Sequence, residues 1–231
     1  MKGKNPLRRQ ERDDGQTLWI QEVFYTLQGE GPYSGQPSVF VRTCGCNLRC
    51  YWCDTDFESS TWRPSLEDLL QAIDAVCPAF CDLIVITGGE PFRQNIVPLV
   101  ETLLARGKRV QIETNGTLWL DLPVSDRLTI VCSPKTSSLH PKLVPRISAY
   151  KYVVAAGDAD PEDGLPINST QKQDAEMRLF RHDGHVGAIY VMPRDDNDEV
   201  LNRRNRDFCA ELALQHGYRL CLQTHKLLNL R

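Results

Sequence analysis

Seven short apolar runs rich in β-branched residues punctuate the chain, at 38–42, 82–87, 109–114, 128–133, 149–154, 186–192 and 219–224. Each is bounded by turn residues, the pattern of strands buried on both faces. Several intervals between them carry apolar residues at helical spacing. Residues 66–76 follow a cap built from Ser65 and Asp68, and 95–105 end at Gly107. Two more helices are predicted over 170–180 and 199–215, the latter stopping at Gly217. Strands that alternate with helices pair in parallel through right-handed crossovers, so the class is α/β.

The unusual residues fall at the C-terminal ends of these strands. Cys46 follows the first, Thr87-Gly88-Gly89-Glu90-Pro91 the second, Glu113-Thr-Asn-Gly116 the third, Ser133-Pro134-Lys135 the fourth and Gln223-Thr-His225 the last. In parallel α/β folds those ends form one face, where ligands bind. Segments far apart in sequence therefore line one cavity.

Bulk properties exclude several classes of function. A net charge of -3 with 25% charged residues leaves no basic footprint for nucleic acid. No apolar run reaches the ~20 residues that span a bilayer, and the N-terminus has no signal-type apolar segment, which points to the cytoplasm. Residues 1–17 are polar and without periodicity, the profile of a mobile leader, and 18–231 form a single core domain. Nine cysteines are an odd number, and Cys44, Cys46, Cys50 and Cys53 crowd together. That distribution favours metal over disulfides. Cys77, Cys81, Cys132, Cys209 and Cys221 sit among apolar residues as small buried hydrophobes.

Cys46-Asn-Leu-Arg-Cys50-Tyr-Trp-Cys53 places three thiolates in one loop. An electron-carrying cubane cluster normally takes four. One iron would lack a protein ligand and could chelate the amino and carboxylate groups of S-adenosylmethionine. The bland alternative is structural zinc, which would need a distant fourth ligand. The paired glycines of Thr87–Pro91 leave backbone uncovered for a ligand, and Glu90 offers a carboxylate to an ammonium group; alone, the segment could be a plain turn. Ser133 to Lys135 and Met192-Pro193-Arg194-Asp195 are polar strand ends suited to ribose, adenine or carboxylate. Leu27-Gln28-Gly29-Glu30 and Arg42 offer an amide, a carboxylate and a guanidinium to a flat heterocycle, or merely a capped loop with a salt bridge. His225 lies near the chain end, in a tail whose Leu227, Leu228 and Leu230 predict that it is not loose.

The cysteine loop and the Gly-Gly-Glu-Pro turn resemble the radical S-adenosylmethionine superfamily. Phe24-Tyr-Thr-Leu-Gln-Gly-Glu-Gly31, Pro37-Ser-Val-Phe-Val-Arg42, Gly45-Cys-Asn-Leu-Arg-Cys50, Trp52-Cys-Asp-Thr55, Glu113-Thr-Asn-Gly116, Ser133-Pro-Lys135 and Gln223-Thr-His-Lys226 narrow the resemblance to the 7-carboxy-7-deazaguanine synthase family. The resemblance implies an incomplete, modified (β/α)6 partial barrel and a homodimer. It implies contraction of 6-carboxy-5,6,7,8-tetrahydropterin to 7-carboxy-7-deazaguanine with loss of ammonia, on the way to queuosine and related 7-deazapurines. Cys46, Cys50 and Cys53 would hold a [4Fe–4S] cluster. Trp52, Cys53, Asp54, Gly89, Ser133, Pro134, Lys135, Met192, Pro193, Arg194 and Asp195 would contact S-adenosylmethionine. Leu27, Gln28, Gly29, Glu30, Arg42, Thr87, His225 and the carboxylate of Arg231 would contact the pterin. Thr55 would donate an oxygen to Mg²⁺, and flavodoxin or ferredoxin would supply the electron. Two rivals share the cysteine spacing or the metal: a glycyl-radical-activating enzyme, which would not need Gln28, Glu30 and His225, and a zinc or cluster module for electron transfer.

Overall fold

The computed structural model describes residues 3–173, 175–182 and 187–230. Eight strands form one sheet in sequence order: β1 (Ile20–Leu27), β2 (Pro37–Thr43), β3 (Leu83–Gly88), β4 (Arg109–Thr114), β5 (Leu128–Cys132), β6 (Ala149–Val154), β7 (Ala188–Pro193) and β8 (Arg219–Leu220). All neighbours from β2 onward are parallel. β1 runs antiparallel to β2, closing one edge with a hairpin. Six of the parallel strands, β2 to β7, form the expected α/β partial barrel.

Helices α1 (Leu66–Val76) and α2 (Val97–Ala105) cross between β2 and β4, and α3 (Glu199–His216) joins β7 to β8. Ser65 starts α1 by accepting the Asp68 N–H, and Asp198 accepts two N–H groups at the start of α3. Gly217, at φ 70°, ends α3 in the left-handed conformation that side chains resist. The apolar faces of the helices meet alternate residues of the strands. Val39, Val41, Ile84, Ile86, Val110, Ile112, Tyr150, Tyr152 and Val191 pack there with Leu69, Ile73, Leu99, Leu103 and Leu212. Because successive strand residues face opposite ways, Phe40, Arg42, Thr87, Glu113, Lys151, Val153 and Met192 are left to line the other face.

Four expectations change. The helix predicted over 170–180 is absent among the described residues, which include all of that span except 174; an isolated bridge joins Asn168 to Glu176 instead. There the backbone turns so that Thr170 C=O meets Tyr51 N–H at 3.0 Å. The strand predicted over 219–224 stops at Leu220, because Thr224 opens a short helix, α4 (Thr224–Leu227), that docks on Gly29. β1 is a strand that the apolar runs did not reveal, since only Ile20 and Phe24 of its eight residues are buried. Residue 186, at the start of the strand predicted over 186–192, lies outside the described residues.

The fourth concerns the mobile leader, whose described residues are seated on the core. Leu7 bridges to Cys46 and Thr17 to Ser65, while Gln10 Nε2 donates to the carbonyls of Phe92 and Trp119, each at 2.9 Å. Those bonds go to loop backbone rather than to an apolar groove. Hydrophobic periodicity carries no trace of them. Among the described residues no helix is long and apolar enough to cross a membrane.

Candidate active site

The C-terminal strand ends surround a cavity of about 610 Å³. Cys46, Cys50, Trp52, Cys53, Asp54 and Thr55 line it from the loop after β2, Thr87 from the end of β3 and Gly89 from the turn that follows. Ser133 and Lys135 enter after β5, Met192 from β7, and Gln223, His225 and Lys226 from the tail. Leu27, Gln28, Glu30 and Arg42 complete the wall from the β1–β2 hairpin. A space of this size suits two small molecules side by side.

The cysteine loop rests directly on the Gly88-Gly89 turn. A Cβ at Gly89 would lie 2.3 Å from Gly45 O and 3.0 Å from Cys46 Cβ, and one at Gly88 would lie 2.2 Å from Thr43 O. Gly88 also holds φ 146°. Glycine is therefore needed at both positions, and the two backbones bond through Gly89 N–H to Thr43 O and Glu90 N–H to Gly45 O, at 3.2 and 2.9 Å. All three thiols of the loop face the cavity and none is in a disulfide. Among the described residues no three His, Cys, Asp or Glu side chains converge where one ion could sit. Cys44 points away, its sulfur 3.4 Å from Gln21 Oε1.

At the other end of the cavity lies a charged network. Lys151, 4% exposed, pairs with Glu30 and, at 2.9 Å, with Glu113. Glu113 also accepts from Gln28 and Gln111, and Glu30 from Gln223 Nε2 at 2.9 Å. Burial alone would raise the Glu30 pKa, but the Lys151 charge and these hydrogen bonds outweigh it and hold Glu30 at about 2. Burial likewise works against the Lys151 cation, and Glu113 and Glu30 overcome it, so its pKa is raised. Two carboxylates against one ammonium leave an anionic, acceptor-rich wall suited to the donor edge of a heterocycle. Arg42 pairs with Glu22 at 2.9 Å. His225 sits against Gly29, where a Cβ would come within 2.1 Å of Nδ1; burial lowers its pKa, partly opposed by Glu30.

Lys226 fastens the tail over the cavity, bonding Asp54 at 2.5 Å and Asp195 at 2.7 Å. Lys135 stands 5.3 Å from the Trp52 ring centroid and donates to Ser133 Oγ at 2.5 Å.

Not every expected residue joins the lining. Gly29, Pro134, Pro193, Arg194 and Asp195 stand outside it. Pro193, Arg194 and Asp195 instead border a neighbouring cavity of about 180 Å³, where Arg194 is held by Asp196 at 2.8 Å. Arg231 lies outside the described residues. Glu90 is corrected outright: it is fully buried and receives N–H from Phe92 and Asn115 and O–H from Thr114, so no ammonium group reaches it. Its carboxyl ties the ends of β3 and β4 together. Burial pushes its pKa up to about 7 against those hydrogen bonds. Lys151 and the role of Glu113 escaped the sequence reading. The signal was a lone lysine inside the apolar run Ala-Tyr-Lys-Tyr-Val-Val, which demands a buried counter-ion.

Residues 40–125 match the model of the Radical SAM superfamily. A 7-carboxy-7-deazaguanine synthase of Rhodospirillum rubrum is 62% identical over 235 residues, spanning all of both chains. The chain belongs to the 7-carboxy-7-deazaguanine synthase family. A family member from Rickettsia prowazekii is 38% identical over 246 residues, covering 100% of this chain and 96% of its own. The crystal structure of QueE from Escherichia coli shares the fold, with a TM-score of 0.64 and 24% identity over 89% of this chain and 93% of that one. As a radical S-adenosylmethionine enzyme of this family, the chain takes a [4Fe–4S] cluster and S-adenosylmethionine. Three free cysteines on one loop lining the cavity, and the Gly88-Gly89 turn packed beneath them, fit that pair.

Proposed function

We propose that the enzyme converts 6-carboxy-5,6,7,8-tetrahydropterin to 7-carboxy-7-deazaguanine with loss of ammonia. The observation that carries this reading is that Gln28, Glu30, Arg42, Thr87 and His225 line the same cavity as the three cysteines. An enzyme activating a protein backbone would not need that polar set. The cluster, when held by Cys46, Cys50 and Cys53, would supply the one-electron reduction of S-adenosylmethionine on which radical chemistry at the substrate depends.

The side chains bind and orient. Cys46, Cys50 and Cys53 hold the cluster. Trp52, Asp54, Gly89, Ser133, Lys135 and Met192 cradle S-adenosylmethionine, with Pro134, Pro193, Arg194 and Asp195 shaping the surrounding loops. Glu30, kept ionised by Lys151, accepts from the donor edge of the pterin, and Gln28 fixes its plane. Arg42 completes the substrate's polar contacts, and Gly29 leaves room for His225. Thr55 Oγ1 lies 3.1 Å from Asp54 Oδ1 and can offer one oxygen to Mg²⁺, whose other ligands would be the substrate carboxylate and water. The enzyme works as a homodimer in the cytoplasm, with flavodoxin or ferredoxin as electron donor.

The test is anaerobic turnover of the cluster-loaded, reduced protein with S-adenosylmethionine and the carboxytetrahydropterin. The proposal expects deazaguanine absorbance with matching ammonia release. Reductive cleavage of S-adenosylmethionine without that product would assign the cavity to another substrate.

A further inference from the structure

Gln171 lies in the crossover from β6 to β7, where the predicted helix is absent. All the hydrogen-bonding capacity of its amide nitrogen is committed next to Cys50. Nε2 stands 3.2 Å from Cys50 Sγ and 2.6 Å from Thr170 Oγ1, two acceptors for its two N–H groups. Oε1 accepts the backbone N–H of Arg49 at 2.8 Å, which fixes the orientation of the amide because only the oxygen can accept. Thr170 holds the other side: its C=O accepts Tyr51 N–H at 3.0 Å, and its hydroxyl donates to Lys135 O at 2.9 Å. The backbone N–H groups before and after Cys50 are thus both held by residues 170 and 171. Cys46 differs, since its sulfur receives an N–H from Leu48 within its own loop, at 3.4 Å.

We propose that Gln171 is a positioning residue for the Cys50 ligand, and that its N–H···S hydrogen bond raises the reduction potential of the cluster. The electron that enters a [4Fe–4S] cluster adds negative charge to its sulfurs, and a fixed N–H donor stabilises the reduced form more than the oxidised one. This rests on the reading of Cys46, Cys50 and Cys53 as cluster ligands and is independent of the substrate. Because the readout is a potential measured without substrate, a failed turnover test leaves it standing.

The same loop supplies a control. Asn5, 3% exposed, grips it from the opposite side: Nδ2 donates to Leu48 O at 2.9 Å and its C=O accepts from Arg49 Nε at 2.7 Å. It meets no cysteine sulfur in these bonds. The experiment compares wild type, Gln171→Met and Asn5→Ala, each loaded with iron and sulfide anaerobically, by redox titration of the reduced-cluster electron paramagnetic resonance signal without S-adenosylmethionine or substrate. Gln171→Met is expected to titrate at a lower potential than wild type, and Asn5→Ala at the wild-type potential. An unshifted Gln171→Met, or equal shifts in both variants, would overturn the proposal, the latter reducing Gln171 to general support of the loop. If Gln171→Met fails to hold a cluster, Gln171→Glu retains the acceptor for Arg49 N–H and loses the donor to sulfur. A wild-type potential in that variant also overturns the proposal.

Discussion

Replacing Lys151 by methionine keeps the length of the side chain but removes the ammonium that Glu30 and Glu113 share. Two carboxylates are then left facing each other inside the barrel. Breaking a buried ion pair from one side costs about 3–5 kcal/mol. The Glu30 pKa points the same way, because against burial the Lys151 charge and hydrogen bond are the leading influences that hold it low. For a chain of this size the cost lowers Tm by roughly 10 °C. Its pH dependence follows from linkage. In wild type the folded pKa is depressed, so the Glu30 contribution is complete above 4.5 and is lost as pH falls towards 2. In the variant, burial is the leading influence and raises the folded pKa above 4.5, so stability declines as pH rises. The deficit against wild type therefore widens between pH 5 and 8. Anaerobic denaturation of the cluster-loaded proteins across that range measures it, and adding Glu30→Gln to Lys151→Met should recover part of the loss. A deficit below about 1 kcal/mol that does not change with pH would refute the counter-ion reasoning.

Glu90 makes a separate contribution to pH dependence. With a folded pKa raised to about 7, its share of stability is present below the usual carboxylate range and declines as pH rises through 7; a flat Tm for wild type from pH 5 to 8.5 would show that Glu90 stays ionised. Gly29→Ala drives a Cβ to within 2.1 Å of His225 Nδ1, so α4 must shift; KM for the pterin should rise at least tenfold while cluster content is unchanged, and an unaltered KM would remove His225 from the substrate site.

The parallel strands were readable because each is a compact apolar run between turn residues, and the strand ends carried the cysteine loop and the Gly-Gly turn in plain view. β1 was hidden because its residues alternate between core and cavity. The stretch 170–180 carried apolar residues compatible with a helix, yet Thr170 and Gln171 commit their polar groups to the cysteine loop, and such bonds leave no periodic mark. Glu90 was misassigned for a related reason. Its carboxylate is consumed by donors from β4 and the segment after it, brought near only by strand pairing. The N-terminal segment bonds loop backbone through Gln10 and Asn5, so its polarity suggested solvent where the fold supplies partners.

The central claim is that one cavity at the strand ends brings S-adenosylmethionine and the carboxytetrahydropterin together. An anaerobic crystal structure with both bound tests it most directly. The account predicts the pterin between Gln28, Glu30, Arg42 and His225, with S-adenosylmethionine between it and the cluster, over Gly89. A pterin bound outside that cavity, or Glu30 and Lys151 left without any contact to it, would contradict the account.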